Sequence, residues 1–103
     1  MALEFNRQAT TAETKIVMEF PHQSKYWLVK NFTGGDIYVG GGGKTDLTKA
    51  DMLLIPASCA QLVVFPMDWD LGYGGIPYPN IIVIIPEETH EKGVEVQCIK
   101  WET

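Results

Sequence analysis

The sequence predicts an all-β fold, a small antiparallel β-sandwich or jelly-roll-like barrel of about seven short strands with an N-terminal arm. Three observations predict it. Short runs alternate apolar and polar residues with a period of two and are rich in β-branched and aromatic side chains. Ten glycines and six prolines punctuate those runs. No stretch carries the apolar period of a helix long enough to pack.

Residues 1–12 are polar and small, with Leu3 and Phe5 as the sizeable apolar anchors. They read as an arm that docks on a neighbour or on the chain's own body. Residues 13–103 then form one β-sandwich domain. In residues 14–20, Ile16, Met18 and Phe20 share a face, and Pro21-His22-Gln23-Ser24 ends the strand. Residues 25–32 put Tyr26, Leu28 and Phe32 on one side and Trp27 and Val29 on the other. After the turn Thr33-Gly34-Gly35, residues 36–39 pair back as a hairpin, and the glycines 40–43 end it. The loop 44–51 has room for one short helical turn. Residues 52–55 form a strand stopped by Pro56, and in residues 59–65 Gln61, Val63 and Phe65 alternate against Leu62 and Val64. Residues 66–79 are a long loop rich in Gly, Pro and aromatics. After the strand 81–85 comes a polar turn over 87–92, and Val94-Glu95-Val96-Gln97-Cys98 alternates to the end of the chain.

The strand Ile81-Ile82-Val83-Ile84-Ile85 has no polar position. A sheet with one wet face would show one at every second residue, and exposing an Ile forgoes about 1.5–3 kcal/mol. Both faces must therefore be covered, either by the second sheet and the aromatic loop or by another subunit.

Size and charge bound the function. A chain of 103 residues, 46% hydrophobic and 20% charged, supports one globular core. The net charge of −5 and eight scattered basic residues argue against nucleic acid as a partner. No apolar run approaches the roughly 18 residues of a membrane span. The N-terminus lacks the basic start and apolar core of a signal peptide, so export by the ordinary secretory route is not expected. Cys59 and Cys98 lie in strand patterns that favour buried free thiols over a disulfide. With no secretory route, the glycosylation sequon Asn31-Phe32-Thr33 reads as incidental.

The motifs of chemistry are incomplete. Gly43-Lys44-Thr45 ends a phosphate-loop pattern, but Tyr38 stands where its first glycine is needed. His22 and His90 lie far apart in polar turns, without metal-ligand spacing. Asp68 and Asp70 are too few for a calcium loop. Neither Ser24 nor Ser58 sits in a nucleophile elbow. The reading is a protein that binds or assembles, with no catalytic, metal or cofactor residue assigned. Its best binding segment is the loop carrying Trp69, Tyr73 and Tyr78, amphipathic surfaces of the kind that anchor interfaces. These aromatics can cap the core, meet a partner, or stack on a sugar ring while Asp68 and Asp70 bond its hydroxyls.

Residues 26–39, Tyr-Trp-Leu-Val-Lys-Asn-Phe-Thr-Gly-Gly-Asp-Ile-Tyr-Val, resemble small proteins encoded among the virion genes of tailed bacteriophages and prophages. So do Ile55-Pro56-Ala57 leading into residues 59–65, and the closing Val94-Glu95-Val96-Gln97-Cys98-Ile99-Lys100-Trp101. In that family a V-x-N-hydrophobic-[ST]-x-x-x-I-Y-V hairpin precedes an I-P turn and a terminal V-E-V strand. The glycines 40–43 and the loop 69–79 depart from the pattern. The resemblance implies a non-enzymatic structural protein of the virion, a capsid decoration, auxiliary or head-fibre protein made in the host cytoplasm and carried on the capsid surface. Its implied partners are the major capsid protein or another virion protein, and its own copies in a homo-oligomer. The expected contact residues are Leu3, Phe5, Trp69, Tyr73, Tyr78, Ile81, Val83 and Ile85. Two other readings stand beside this one: a carbohydrate-binding β-sandwich module and a small inhibitor of a host protein.

Overall fold

The structure, a computed structural model, describes residues 3–41, 47–65 and 78–100. Among these are eight strands: β1 (Phe5–Thr10), β2 (Ile16–Glu19), β3 (Tyr26–Asn31), β4 (Ile37–Gly41), β5 (Leu53–Ile55), β6 (Ala60–Val64), β7 (Ile81–Pro86) and β8 (His90–Lys100). They form two four-stranded sheets, β1-β8-β3-β6 (the β1 sheet) and β2-β7-β4-β5 (the β2 sheet). Every pairing is antiparallel. The pairs β1–β8, β2–β7, β3–β6 and β4–β5 nest inside one another, so the chain is one long hairpin closed at β4–β5 and wound on itself. Lateral pairs β3–β8 and β4–β7 stitch the winding into two layers. This is the jelly roll, and the predicted fold class holds. No helix among the described residues is long and apolar enough to cross a membrane.

Alternation decides which side chains meet between the layers. From the β1 sheet come Trp27, Val29, Val63, Val94, Val96 and Cys98; from the β2 sheet come Ile16, Met18, Ile37, Val39, Ile55, Ile82 and Ile84. Trp27 is fully buried, packs edge-on to Phe20 at 4.8 Å between ring centroids, and donates its indole N–H to the Ser24 carbonyl at 2.8 Å.

Two expectations are corrected. Residues 5–10, read as part of an arm, form the edge strand β1 on β8. Its inward positions are Asn6 and Gln8, and without apolar residues there the alternation is invisible to hydrophobicity. It also supplies the eighth strand. The polar turn after β7 is shorter than expected, because β8 begins at His90. Gly93, at φ +61°, makes room for the bulge in β1: a Cβ there would collide with the Gln8 carbonyl oxygen and Ala9 Cα.

The strand β7 is apolar throughout because it lies between β2 and β4. Ile82 and Ile84 face the core. Val83 faces the other way yet is fully buried, opposite Gly40 on β4. Leu47 and Met52 lie over that glycine; a Cβ on it would sit 2.7 Å from Leu47 Cδ1 and 3.3 Å from Met52 Cγ. The segment 47–52, with its single 3-10 turn Lys49–Asp51, thus lies across the outer side of the β2 sheet beside Val83.

Two of the chain's crossings between the sheets, from β3 to β4 at residues 32–36 and from β5 to β6 at 56–59, lie together. One buried side chain ties both crossings. Asn31 Nδ2 lies 2.9 Å from the Gly35 carbonyl, 3.2 Å from that of Ile55 and 3.0 Å from that of Pro56. Its Oδ1 accepts from the Thr33 N–H at 2.9 Å and sits 2.7 Å from the Thr33 hydroxyl. Ser58 N–H donates to the Thr33 carbonyl at 3.2 Å. The sequon is therefore turn chemistry, with both polar side chains sealed from solvent.

Of the two thiols, Cys98 is buried as expected and burial raises its pKa, whereas Cys59 is exposed at the head of the edge strand β6, against expectation. Both are free. A thiol reagent should titrate one cysteine in the native protein and two in denaturant; two equivalents at the native rate would contradict this burial. Asn31→Ala should lower unfolding free energy by about 2–4 kcal/mol, because it removes the buried hydrogen bonds to the Ile55 carbonyl and from the Thr33 N–H. Urea unfolding at unchanged slope reads this, and a loss under about 0.5 kcal/mol would remove Asn31 from its role.

Candidate functional site

The outward side of the β1 sheet carries the candidate site. Register places Phe5, Gln97, Leu28 and Leu62 in one row across β1, β8, β3 and β6. Tyr26 and Val64 pair beside them, and Ile99 is exposed near the end of β8. Leu3 extends the face beyond β1. Exposure is 73% for Leu3, 52% for Phe5, 50% for Leu62 and 48% for both Val64 and Ile99. Covering such half-exposed side chains is worth about 1 kcal/mol each at the usual coefficient for apolar area. A contiguous face of this kind is what monomeric proteins ordinarily avoid.

A charged row crosses this face. Arg7, Glu95, Lys30 and Ala60 are aligned across the four strands. Arg7 donates through Nε at 2.9 Å and Nη2 at 2.7 Å to Glu95 Oε1, while Lys30 Nζ lies 2.9 Å from Glu95 Oε2. Hydrogen bonds from Lys30 and then Arg7 hold the Glu95 carboxyl below its ordinary range, and desolvation opposes them. The carboxylate is engaged through both oxygens, so the row presents a closed triad rather than a lone charge. A shallow hollow of about 230 Å³ lies between Leu3, Phe5 and this triad.

The outer side of the β2 sheet differs. Val17 and Leu54 are part-exposed, but the segment 47–52 crosses it, and Lys49 Nζ sits 4.9 Å over the Tyr38 ring. At the other end, Glu4 accepts the His22 N–H at 3.2 Å and its second oxygen lies 2.6 Å from His22 Nδ1, which fastens the start of β1.

The sequence-predicted contact residues are dispersed. Leu3 and Phe5 stand on the exposed face. Ile81 and Ile85 are half-buried on the outer side of the β2 sheet, and Tyr78 is half-buried ahead of β7. Val83 is fully buried within its own chain and has no surface to offer a partner, which corrects its place in that set. Trp69 and Tyr73 lie outside the described residues. Leu62, Val64 and Ile99 were not in the set. Their signal was the run Leu62-Val63-Val64-Phe65, apolar on both sides like residues 81–85 but placed on an edge strand. Among the described residues no group of three or more His, Cys, Asp or Glu gathers as a metal site.

Comparison with protein families, with curated proteins and with solved structures finds no significant match to this chain.

The Glu95 triad has a signed pH consequence. A carboxyl whose folded pKa is depressed adds stability above its unfolded pKa and loses it as pH falls through the folded value. Glu95→Gln should therefore destabilise by about 1 kcal/mol at pH 7, a modest cost because Arg7 and Lys30 are solvent-screened. The difference from wild type should shrink below the ordinary carboxylate range. Urea midpoints at pH 7 and pH 3 measure it; an equal gap at both would exclude the ionised triad as its source.

Proposed function

We propose that this protein is a non-enzymatic structural protein of the virion that attaches to the capsid lattice through the outward face of the β1 sheet. The observation that carries the reading is that face, with Leu3, Phe5, Leu62, Val64 and Ile99 exposed around a closed ion triad. The sequence resemblance of residues 26–39 to small phage virion proteins supplies the kind of partner. The jelly roll is compatible, being an architecture used by viral capsid proteins, though lectins and cupins use it too and a fold alone fixes no function. A lattice favours such a design: many identical sites let a modest apolar contact hold once neighbouring copies are linked.

The chain acts by covering and being covered. The major capsid protein, or another protein of the capsid surface, provides a complementary apolar patch, and the Arg7–Glu95–Lys30 row fixes orientation more than affinity.

The test is incorporation. Tagged chain, expressed in the host during particle production, should co-purify with particles through a density gradient in fixed proportion to the major capsid protein. Phe5→Glu should weaken attachment about tenfold or more, some 1.4 kcal/mol, while its unfolding curve stays close to wild type because Phe5 is half exposed. Wild-type chain found only in the soluble fraction, or full incorporation of Phe5→Glu together with Ile99→Glu, would refute the reading.

A further inference from the structure

The two sheets have four edge strands, and they are not alike. The edge β1 carries Arg7 and a bulge between Gln8 and Thr10. The edge β2 has four residues, ends on Glu19 and follows Lys15. The edge β5 has three residues and is closed by Pro56. Each of these uses a familiar device against pairing with another chain. The edge β6 has none within residues 59–65, with Pro66 following them. Residues 59–65, Cys-Ala-Gln-Leu-Val-Val-Phe, contain no charge, proline, glycine or bulge, and Ala60, Gln61, Leu62 and Val64 are exposed.

The ladder fixes which backbone groups this edge presents. Asn31 N–H donates to the Cys59 carbonyl, and Phe65 N–H donates to the Lys25 carbonyl, both at 2.9 Å. With the unbroken register between β3 and β6, the odd residues 59, 61, 63 and 65 point their amides and carbonyls at β3. Ala60, Leu62 and Val64 therefore point theirs away. Among the described residues no hydrogen bond is formed on that side. Three outward residues, spaced evenly about Leu62, make a pattern that is its own complement when reversed.

We propose that two copies of this chain pair edge to edge through β6, antiparallel and centred on Leu62. Leu62 then faces Leu62 of the second copy, and Ala60 faces Val64 of the second copy on either side. All three outward N–H groups and all three outward carbonyls of each edge are satisfied by this register alone. A shift by two residues in either direction leaves one residue of each edge unmatched. The uncharged Leu62 suits a second copy, since a charge at that central position of a homotypic antiparallel pair would face its own twin. The pairing joins two β1 sheets into one eight-stranded sheet and makes their apolar outer faces continuous through Leu62 and Val64. It also places a neighbour beside the open cavity of about 520 Å³ that runs along β6 between Val39, Leu47, Leu53, Val63 and Phe65.

This inference rests on the assembly reading only in taking the domain as built to meet other chains; it concerns the backbone edge of β6, whose Leu62 and Val64 side chains also lie on the proposed attachment face. Its test is a mass and a cross-link. Sedimentation of the wild-type chain at rising concentration should show a species of twice 11.5 kDa. Leu62→Pro removes one outward N–H without touching the bonds to β3, and Val64→Lys adds the missing edge charge; each should weaken the dimer at least tenfold while leaving a folded monomer. In a Cys59→Ser background, Leu62→Cys should form a covalent dimer on mild oxidation, because facing residues of a hydrogen-bonded antiparallel pair lie about 5.5 Å apart, within disulfide reach. Ala60→Cys alone should not, whereas Ala60→Cys with Val64→Cys should. A wild-type chain that stays monomeric at millimolar concentration overturns the proposal, as does a dimer untouched by both edge variants or one that cross-links better through Ala60→Cys than Leu62→Cys. A monomer that still joins particles would sink this inference alone; a dimer that does not join them would sink the lattice reading alone.

Discussion

The fold depends on what happens where the chain leaves one sheet for the other, and Asn31 is the group that holds that place. A wound hairpin must send both of its arms across the gap at nearly the same point. At these crossings the bonds to the Ile55 carbonyl and from the Thr33 N–H are buried. The Asn31 amide nitrogen lies within hydrogen-bond distance of carbonyls from both crossings and its own oxygen organises Thr33, so the two are fixed to each other. Because β3 and β6 are neighbours, that fixed corner also sets the height at which they pair. The alignment of Trp27 against Val63 and Cys98, and so the packing of the core, descends from it.

Much of this was legible in the sequence, and the parts that were not share a cause. Alternation put Trp27 and Val29 together on one face of β3, and Gln61 and Val63 together on one face of β6, but with apolar residues on both faces it did not say which turns inward. It failed at β1, whose inward Asn6 and Gln8 have no apolar contrast, and whose position is set by the ladder to β8 alone. Cys59 looked buried because the run it begins is apolar, yet that run is an edge. Residues 81–85 and 62–65 raise the same question in sequence, how two apolar faces are covered, and only strand order separates them: β7 lies between neighbours and β6 does not. Strand order is a property of the whole winding, and no local window contains it.

The two sheets divide the labour of the surface. The β2 sheet has its outer side crossed by the chain itself, with Gly40 opening the place that Leu47 and Met52 occupy. Among the described residues no segment crosses the outer side of the β1 sheet, which carries the ion-paired row Arg7, Glu95 and Lys30. The two surfaces proposed for contact with other chains, a face and an edge, belong to the same sheet, while on the other sheet Val17 and Leu54 remain exposed beside the crossing segment.

The nesting of strands also dictates an order of events. Of the four nested pairs, β4–β5 spans the shortest stretch of chain and so pays the least loop entropy to close. Each closure shortens the loop that the next must span, from β4–β5 outward to β1–β8. Loop entropy alone thus favours closure from the middle of the chain towards its ends, and ranks the β1–β8 pair last.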